Sequence, residues 1–202
     1  MNLRLKTALV FCCAAACAYA VLPSAAQFEN SDVKVSRALE KAHVKGSFHD
    51  HKTNRVMVYL QDGQQRFEYQ DGRPPVVSNW KAGQVVWSVP EGMHSPEVVS
   101  DDGFNIIEIE LKKPGTAGVV LPKLDAKYFK VELENDQVRV LRLKLGAHQA
   151  TTIKRERNTV AVFLTDQGAN KAGDAVWETP GTAKIENIGD KPIEMILVEL
   201  KG

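Results

Sequence analysis

The chain has 202 residues, of which 44% are hydrophobic and 25% are charged. This composition is typical of one or two globular domains and excludes an intrinsically disordered protein. The formal net charge is +1 and no basic cluster with interleaved aromatic residues occurs, so the sequence carries no electrostatic footprint for nucleic-acid binding.

The first 26 residues have the layout of a secretory signal peptide. Arg4 and Lys6 form a basic start, residues 7–22 are almost wholly apolar, and small residues precede a cleavage point after Ala26. Cleavage after Ala20 is the second choice. A membrane anchor is the alternative, although the apolar run is short for a span of about 20 residues. We therefore expect a periplasmic or secreted protein that is not attached to a membrane once the signal is removed.

All three cysteines lie inside this N-terminal segment, at Cys12, Cys13 and Cys17. The mature protein would therefore have no cysteine. It could form no disulfide, no thiolate metal site and no cysteine nucleophile.

The rest of the chain repeats itself. Four blocks recur in the same order with similar residues: 28–37 with 133–142, 54–60 with 158–164, 86–90 with 176–180, and 109–112 with 198–201. A stretch containing Pro114 and Gly115 separates the two copies and is typical of a connection. We predict a first domain over residues 27–112, a linker over 113–126 and a second domain over 127–202.

Both copies consist of short runs rich in Val, Ile and Leu with turn sequences between them. The clearest runs are residues 32–37, 56–60, 105–111, 138–145 and 192–200. Residues 36–44 alone have a pattern that would suit a helix, but their counterpart at 141–149 favours a strand. The pattern predicts an all-β protein built from antiparallel barrels or sandwiches.

A histidine pattern stands out in the first copy. His49-Asp50-His51 is followed by Gly63, and Gly83 precedes the run Pro90-Glu91-Gly92-Met93-His94. This arrangement resembles the two sequence motifs of the cupin superfamily. The resemblance extends over nearly the whole chain after residue 26. It implies a bicupin, with two tandem cupin-type antiparallel β-barrels of the double-stranded β-helix, jelly-roll-like kind.

Three histidines of this pattern are candidate metal ligands. Residues i and i+2 of a strand point to the same side, so His49 and His51 project together, and His94 arrives from a distant turn. The resemblance implies one divalent transition metal (Fe, Mn, Zn, Ni or Cu) with open coordination positions. The glutamate of the family motif falls on Val56, or on Arg55 with a one-residue shift, and neither side chain can ligate a metal. A barrel without a metal is therefore the alternative.

The second copy keeps none of these ligands. His49 and His51 correspond there to Ile153 and Arg155, and His94 corresponds to Lys184. We expect the second barrel to bind no metal.

Arg55 is a candidate substrate-binding residue. If it lines the barrel cavity, its guanidinium can hold a carboxylate or a phosphate through two hydrogen bonds. The alternative is a solvent-facing arginine at the start of a strand.

Trp80 has no counterpart in the second copy and lies either in a pocket or on the surface. Glu108 and Glu110 share a strand face and suggest a barrel salt bridge or an exposed face.

These observations predict an exported bicupin whose first barrel binds one metal and a small molecule. If the protein is an enzyme, the resemblance implies a metal-dependent dioxygenase or isomerase, and no catalytic residue can be assigned. The alternative is a metal-free protein that binds a small ligand or has a structural or association role. Exposed edge strands invite pairing and cupins often associate in this way, so a homodimer is a further expectation.

Overall fold

The computed structural model describes residues 24–202, with side chains from residue 27 onward. Most of the predicted signal peptide, including its basic start and the three cysteines, lies outside the described residues. Within the described residues the chain forms fifteen β-strands and no helix. It accordingly has no helix there that is long and apolar enough to cross a membrane. The prediction of an all-β protein is confirmed.

The first eight strands form one antiparallel barrel, here called the first barrel. They are β1 (Ser24–Glu29), β2 (Val33–Glu40), β3 (Arg55–Tyr59), β4 (Gly63–Tyr69), β5 (Val76–Trp80), β6 (Val85–Ser88), β7 (His94–Val98) and β8 (Phe104–Leu111). A five-stranded sheet has the order β1-β2-β8-β3-β6, and a three-stranded sheet has the order β5-β4-β7. Because β2 pairs with β8 along its whole length, the helical alternative for residues 36–44 is wrong.

The remaining seven strands form the second barrel. They are β9 (Phe129–Glu134), β10 (Val138–Leu145), β11 (Ala150–Arg155), β12 (Thr159–Phe163), β13 (Ala175–Glu178), β14 (Gly181–Glu186) and β15 (Ile193–Leu200). The five-stranded sheet has the order β9-β10-β15-β12-β13, which is the same order as in the first barrel when strands are matched along the chain. Strands β11 and β14 form the facing two-stranded sheet.

The two five-stranded sheets pack against each other through a shared apolar core. Successive residues of a strand point to opposite faces, so each sheet gives one face to this core and the other to its own barrel. The first barrel contributes buried residues such as Val35, Val58 and Ile109, and the second contributes Val140 and Val198. The central strand of each sheet, β8 or β15, is thus largely buried on both faces.

Polar contacts join the barrels at corresponding positions. Asn54 Nδ2 donates to Gln137 Oε1, and Asn158 Nδ2 donates to Asp32 Oδ2 at 3.0 Å. Asn54 corresponds to Asn158 in the aligned sequence blocks, and Asp32 corresponds to Gln137. The same two positions therefore form a hydrogen bond between the barrels twice. The asparagine donor belongs to the first barrel in one bond and to the second barrel in the other.

Candidate metal centre

The three predicted histidines converge in the first barrel. His94 begins β7 and pairs with His49 in an isolated antiparallel bridge, and His51 follows His49 on the same side. The ring centroids lie 4.9 Å apart for His49 and His94, 5.0 Å for His49 and His51, and 5.5 Å for His51 and His94. One ring nitrogen from each residue lies within 4.8 Å of the others. In the described part of the chain, this is the one group of three or more candidate side chains with metal-binding spacing.

Backbone carbonyls fix two of these imidazoles. His49 Nδ1 lies 2.9 Å from the carbonyl oxygen of Ser47, and His94 Nδ1 lies 2.9 Å from that of Gly92. A carbonyl oxygen can only accept, so each Nδ1 carries the proton and each Nε2 keeps its lone pair for a metal. Gly92 has a φ of 84°, a left-handed conformation that favours glycine, and this turn aims its carbonyl at His94.

Burial and nearby positive charge favour the neutral form of His51 and His94. Burial lowers the pKa of His94, which is 9% exposed, and the nearby Arg55 charge also lowers it. Burial and the charge of Arg55 lower the pKa of His51 to about 3. Neutral imidazole is the form that binds a metal, so these two rings are suited to a divalent ion without prior loss of protons.

Arg55 lies inside the barrel, where it is 5% exposed. Its Nη1 donates to Glu108 Oε1 at 3.3 Å and its Nη2 donates to Ser88 Oγ at 3.0 Å. Its Nε is buried and finds no acceptor among the described residues. The alternative of a solvent-facing Arg55 is therefore wrong, because β3 turns this side chain towards the cavity and not towards the shared core.

A polar cavity of about 450 Å³ opens beside the histidines. His49 and His51 line one side, and Glu108 and Glu110 of β8 line another. Burial raises the pKa of Glu108 despite its ion pair with Arg55. Glu110 pairs with Lys34 Nζ at 3.2 Å. Both glutamates thus form salt bridges, which was one of the two alternatives for them, and they line the cavity. No sequence signal indicated this position for Glu108.

The second barrel has apolar side chains at the positions that match Ser36, His49 and Glu108. Glu108 pairs with Ser36 across β2, whereas the matching Leu197 pairs with Leu141 across β10. Both leucines belong to a buried cluster that also contains Ile153, the counterpart of His49. The interiors of the two barrels therefore differ at the histidine and Glu108 positions, whereas the positions of Lys34 and Glu110 keep a buried ion pair in the second barrel, between Arg139 and Glu199.

Strand pairing changes one assignment in the second barrel. His94 lies opposite His49, and the residue opposite Ile153 is Ala183. The counterpart of His94 is therefore Ala183, one residue before the predicted Lys184. Neither residue is a metal ligand, so the expectation of a second barrel without these ligands is unaffected.

Neither protein-family profiles nor curated protein sequences give a significant match to this chain. Solved structures do match it. AerE from Microcystis aeruginosa aligns with a TM-score of 0.61 at 11% identity, over 86% of this chain and 90% of its own. A cupin 2 conserved barrel domain protein from Leptotrichia buccalis aligns with a TM-score of 0.56 at 12% identity, over 91% of this chain and 90% of its own.

A single-residue variant of oxalate decarboxylase from Bacillus subtilis aligns with a TM-score of 0.60 at 11% identity, over 87% of this chain and 71% of its own. Identities this low carry information on the fold alone. Each match extends over more of the chain than either barrel occupies, so it includes both barrels. The chain therefore has the cupin fold, as the histidine motifs and the strand pattern predicted.

Proposed function

We propose that the first barrel binds one divalent transition metal through Nε2 of His49, Nε2 of His94 and a ring nitrogen of His51. The observation that carries this proposal is the pair of hydrogen bonds from Nδ1 of His49 and His94 to backbone carbonyls, which leaves Nε2 free on both rings. Metal-binding histidines are oriented by such contacts in general. Three imidazoles suit Fe, Mn, Zn, Ni or Cu and leave coordination positions open.

The bound ligand is a small organic acid, held by Arg55. Two of the five guanidinium N–H groups are used by Glu108 and Ser88, so donors remain for a carboxylate. The charge of Arg55 acts on His51 and His94, which means that an acid at Arg55 lies close to the histidines. A metal held there supplies Lewis acidity to ligand oxygens. Glu108 and Ser88 keep the guanidinium in place.

The metal content of the native protein tests the first part of this proposal. Protein purified without chelator from metal-supplemented medium should contain close to one equivalent, and the double variant His49→Ala/His94→Ala should contain almost none. His148→Asn is the matched control, since His148 is exposed in the second barrel and its φ of 55° is tolerated by asparagine. Less than about a tenth of an equivalent in the wild type, with no uptake on titration, would favour the metal-free alternative.

We also propose that residues 1–26 direct export to the periplasm or the exterior. Strand β1 begins at Ser24, so cleavage after Ala26 would shorten it, whereas cleavage after Ala20 would leave it whole. In the first case the new terminus, Gln27, is held by the second barrel, because its side chain accepts from Ala175 N at 2.8 Å and donates to Gly173 O at 2.9 Å. N-terminal sequencing of protein from the periplasmic fraction distinguishes the two cleavage points, and an intact Met1 would contradict export by cleavage.

A further inference from the structure

The first barrel has a hairpin that the second barrel does not have. Residues 60–84 separate β3 from β6 and contain β4 and β5, whereas only residues 164–174 separate the matching β12 and β13. The hairpin joins the barrel because β4 pairs with β7, with Tyr69 opposite His94. It is therefore an addition at the wall of the barrel, paired with the strand that contributes a candidate metal ligand.

A second cavity, of about 200 Å³, lies under this hairpin. Besides His94, five aromatic side chains line it: Tyr59, Phe67, Tyr69, Trp80 and Trp87. Three of the five come from the hairpin, and Trp80 stacks on Tyr59 with a centroid distance of 4.4 Å and an interplanar angle of 15°. The prediction that Trp80 lies either in a pocket or on the surface is thus resolved in favour of the pocket.

This aromatic cavity reaches the candidate metal centre. His94 and Arg55 line it together with the aromatic residues. The rings of Phe67 and Tyr69 both lie 6.2 Å from the ring of His94. The polar cavity of His49 and the aromatic cavity of His94 therefore meet the three-histidine group from two sides.

We propose that the aromatic cavity is a specificity pocket for an acid with a single aromatic ring. This inference rests on the proposed function and names the class of its ligand. An apolar cavity of about 150 Å³ is enough to bind benzene, so the present cavity accommodates one six-membered ring with a small substituent. The ring lies among Phe67, Tyr69 and Trp80, where offset-stacked and edge-to-face contacts between aromatic rings stabilise it. The carboxylate of the same molecule reaches Arg55.

Binding of benzoate, with acetate as the comparison, tests this proposal. Titration calorimetry on the wild-type protein should give a dissociation constant for benzoate at least about tenfold lower than that for acetate, because only benzoate has a ring for the cavity. Tyr69→Ala should weaken benzoate binding about threefold to tenfold, and Tyr69→Phe, which keeps the ring, should restore it. Acetate binding should change little in either variant.

Filling the cavity provides a second variant. Ser78 of β5 lines the cavity, and Ser78→Phe places a ring in the space that the ring of the ligand would occupy. Benzoate binding should then be lost while acetate binding and metal content remain. Thr182→Phe is the control, since Thr182 is exposed on β14 of the second barrel.

The outcomes separate this inference from the proposed function. One equivalent of metal together with equal affinity for benzoate and acetate overturns the aromatic pocket and leaves the metal centre standing. Benzoate binding that Ser78→Phe abolishes in a protein without metal supports the pocket and contradicts the metal centre. Benzoate binding that survives Ser78→Phe in a folded protein overturns the pocket, since the ring would then bind elsewhere.

Discussion

His49 and His94 lie opposite each other, and the backbone N–H of each donates to the carbonyl oxygen of the other at 2.9 Å. These two residues are far apart in the sequence, and one antiparallel bridge brings them together. The bridge belongs to the scaffold, so the positions of both Cα atoms do not depend on a metal. Each side chain is then oriented by its own carbonyl partner, Ser47 for His49 and Gly92 for His94.

A bound metal should therefore stabilise the folded protein without rearranging it. A ligand present at about one hundred times its dissociation constant adds about 2.7 kcal/mol to the free energy of unfolding. For a chain of this size that corresponds to an increase of about 5–10 °C in the melting temperature. Differential scanning calorimetry with and without the metal should show this increase, and a chelator should reverse it. In His94→Ala the increase should be absent, whereas His148→Asn should behave as the wild type.

Removing only one partner of the Arg55–Glu108 ion pair should destabilise the folded protein. Arg55→Thr leaves Glu108 buried without its partner, and breaking a buried pair costs about 3–5 kcal/mol of unfolding free energy. The second barrel supplies the compensating change, because Thr159 and Leu197 occupy the matching positions. Arg55→Thr/Glu108→Leu should be nearly as stable as the wild type in denaturant unfolding and should bind no benzoate or acetate. A double variant as unstable as the single one would contradict this account.

Glu40 should make the protein less stable as the pH rises. Burial and the nearby charge of Glu108 raise the pKa of Glu40 to about 7 from its usual 4.5, and the hydrogen bond from Gln65 only partly opposes this. Between these two pKa values the folded state binds more protons than the unfolded state, so the unfolding free energy falls as the pH rises. The contribution lost between pH 5 and pH 8 is about 2 kcal/mol.

Glu40→Gln removes this titration and isolates its effect. The wild type should lose about 2 kcal/mol more unfolding free energy between pH 5 and pH 8 than Glu40→Gln does, as measured by urea unfolding at each pH. The variant should therefore be the more stable protein at pH 8. Parallel pH dependence in the two proteins would show that Glu40 has an ordinary pKa in the folded state.

The histidine site was predictable because the three histidines follow the spacing of the two cupin motifs. His49 and His51 share a side by their spacing, and the motif turn at Gly92 indicates where His94 joins them. The second copy also helped, because its alignment with the first copy indicates which residue stands in place of each histidine. The one error there, Lys184 in place of Ala183, arose because the two copies differ in length before β14 and a sequence alignment does not determine strand register.

Glu108 and Arg55 were not predictable in the same way. In a sheet with one solvent face, alternation of polar and apolar residues identifies the buried side. Here one face of β8 packs on the other barrel and the other lines the cavity, so Ile107 and Glu108 are both enclosed. The sequence pattern then gives no sign of which side is the site. The aromatic cavity was hidden for a similar reason, since it forms only where the hairpin meets β3 and β6.

The packing of the two barrels can be tested at one glycine. Gly173 has a φ of 90°, and a Cβ placed there would lie 2.8 Å from both Arg37 Cζ and Leu60 Cδ1 of the first barrel. Gly168 has a φ of 59° with open space around it. Gly168→Ala should cost about 1 kcal/mol for the left-handed backbone alone. Gly173→Ala adds the clash with the ends of the Arg37 and Leu60 side chains and should cost about 2 kcal/mol if these side chains are held in place. Both variants should be compared by urea unfolding. Equal costs would mean that Arg37 and Leu60 move aside freely and that the barrels are not tightly packed at this point.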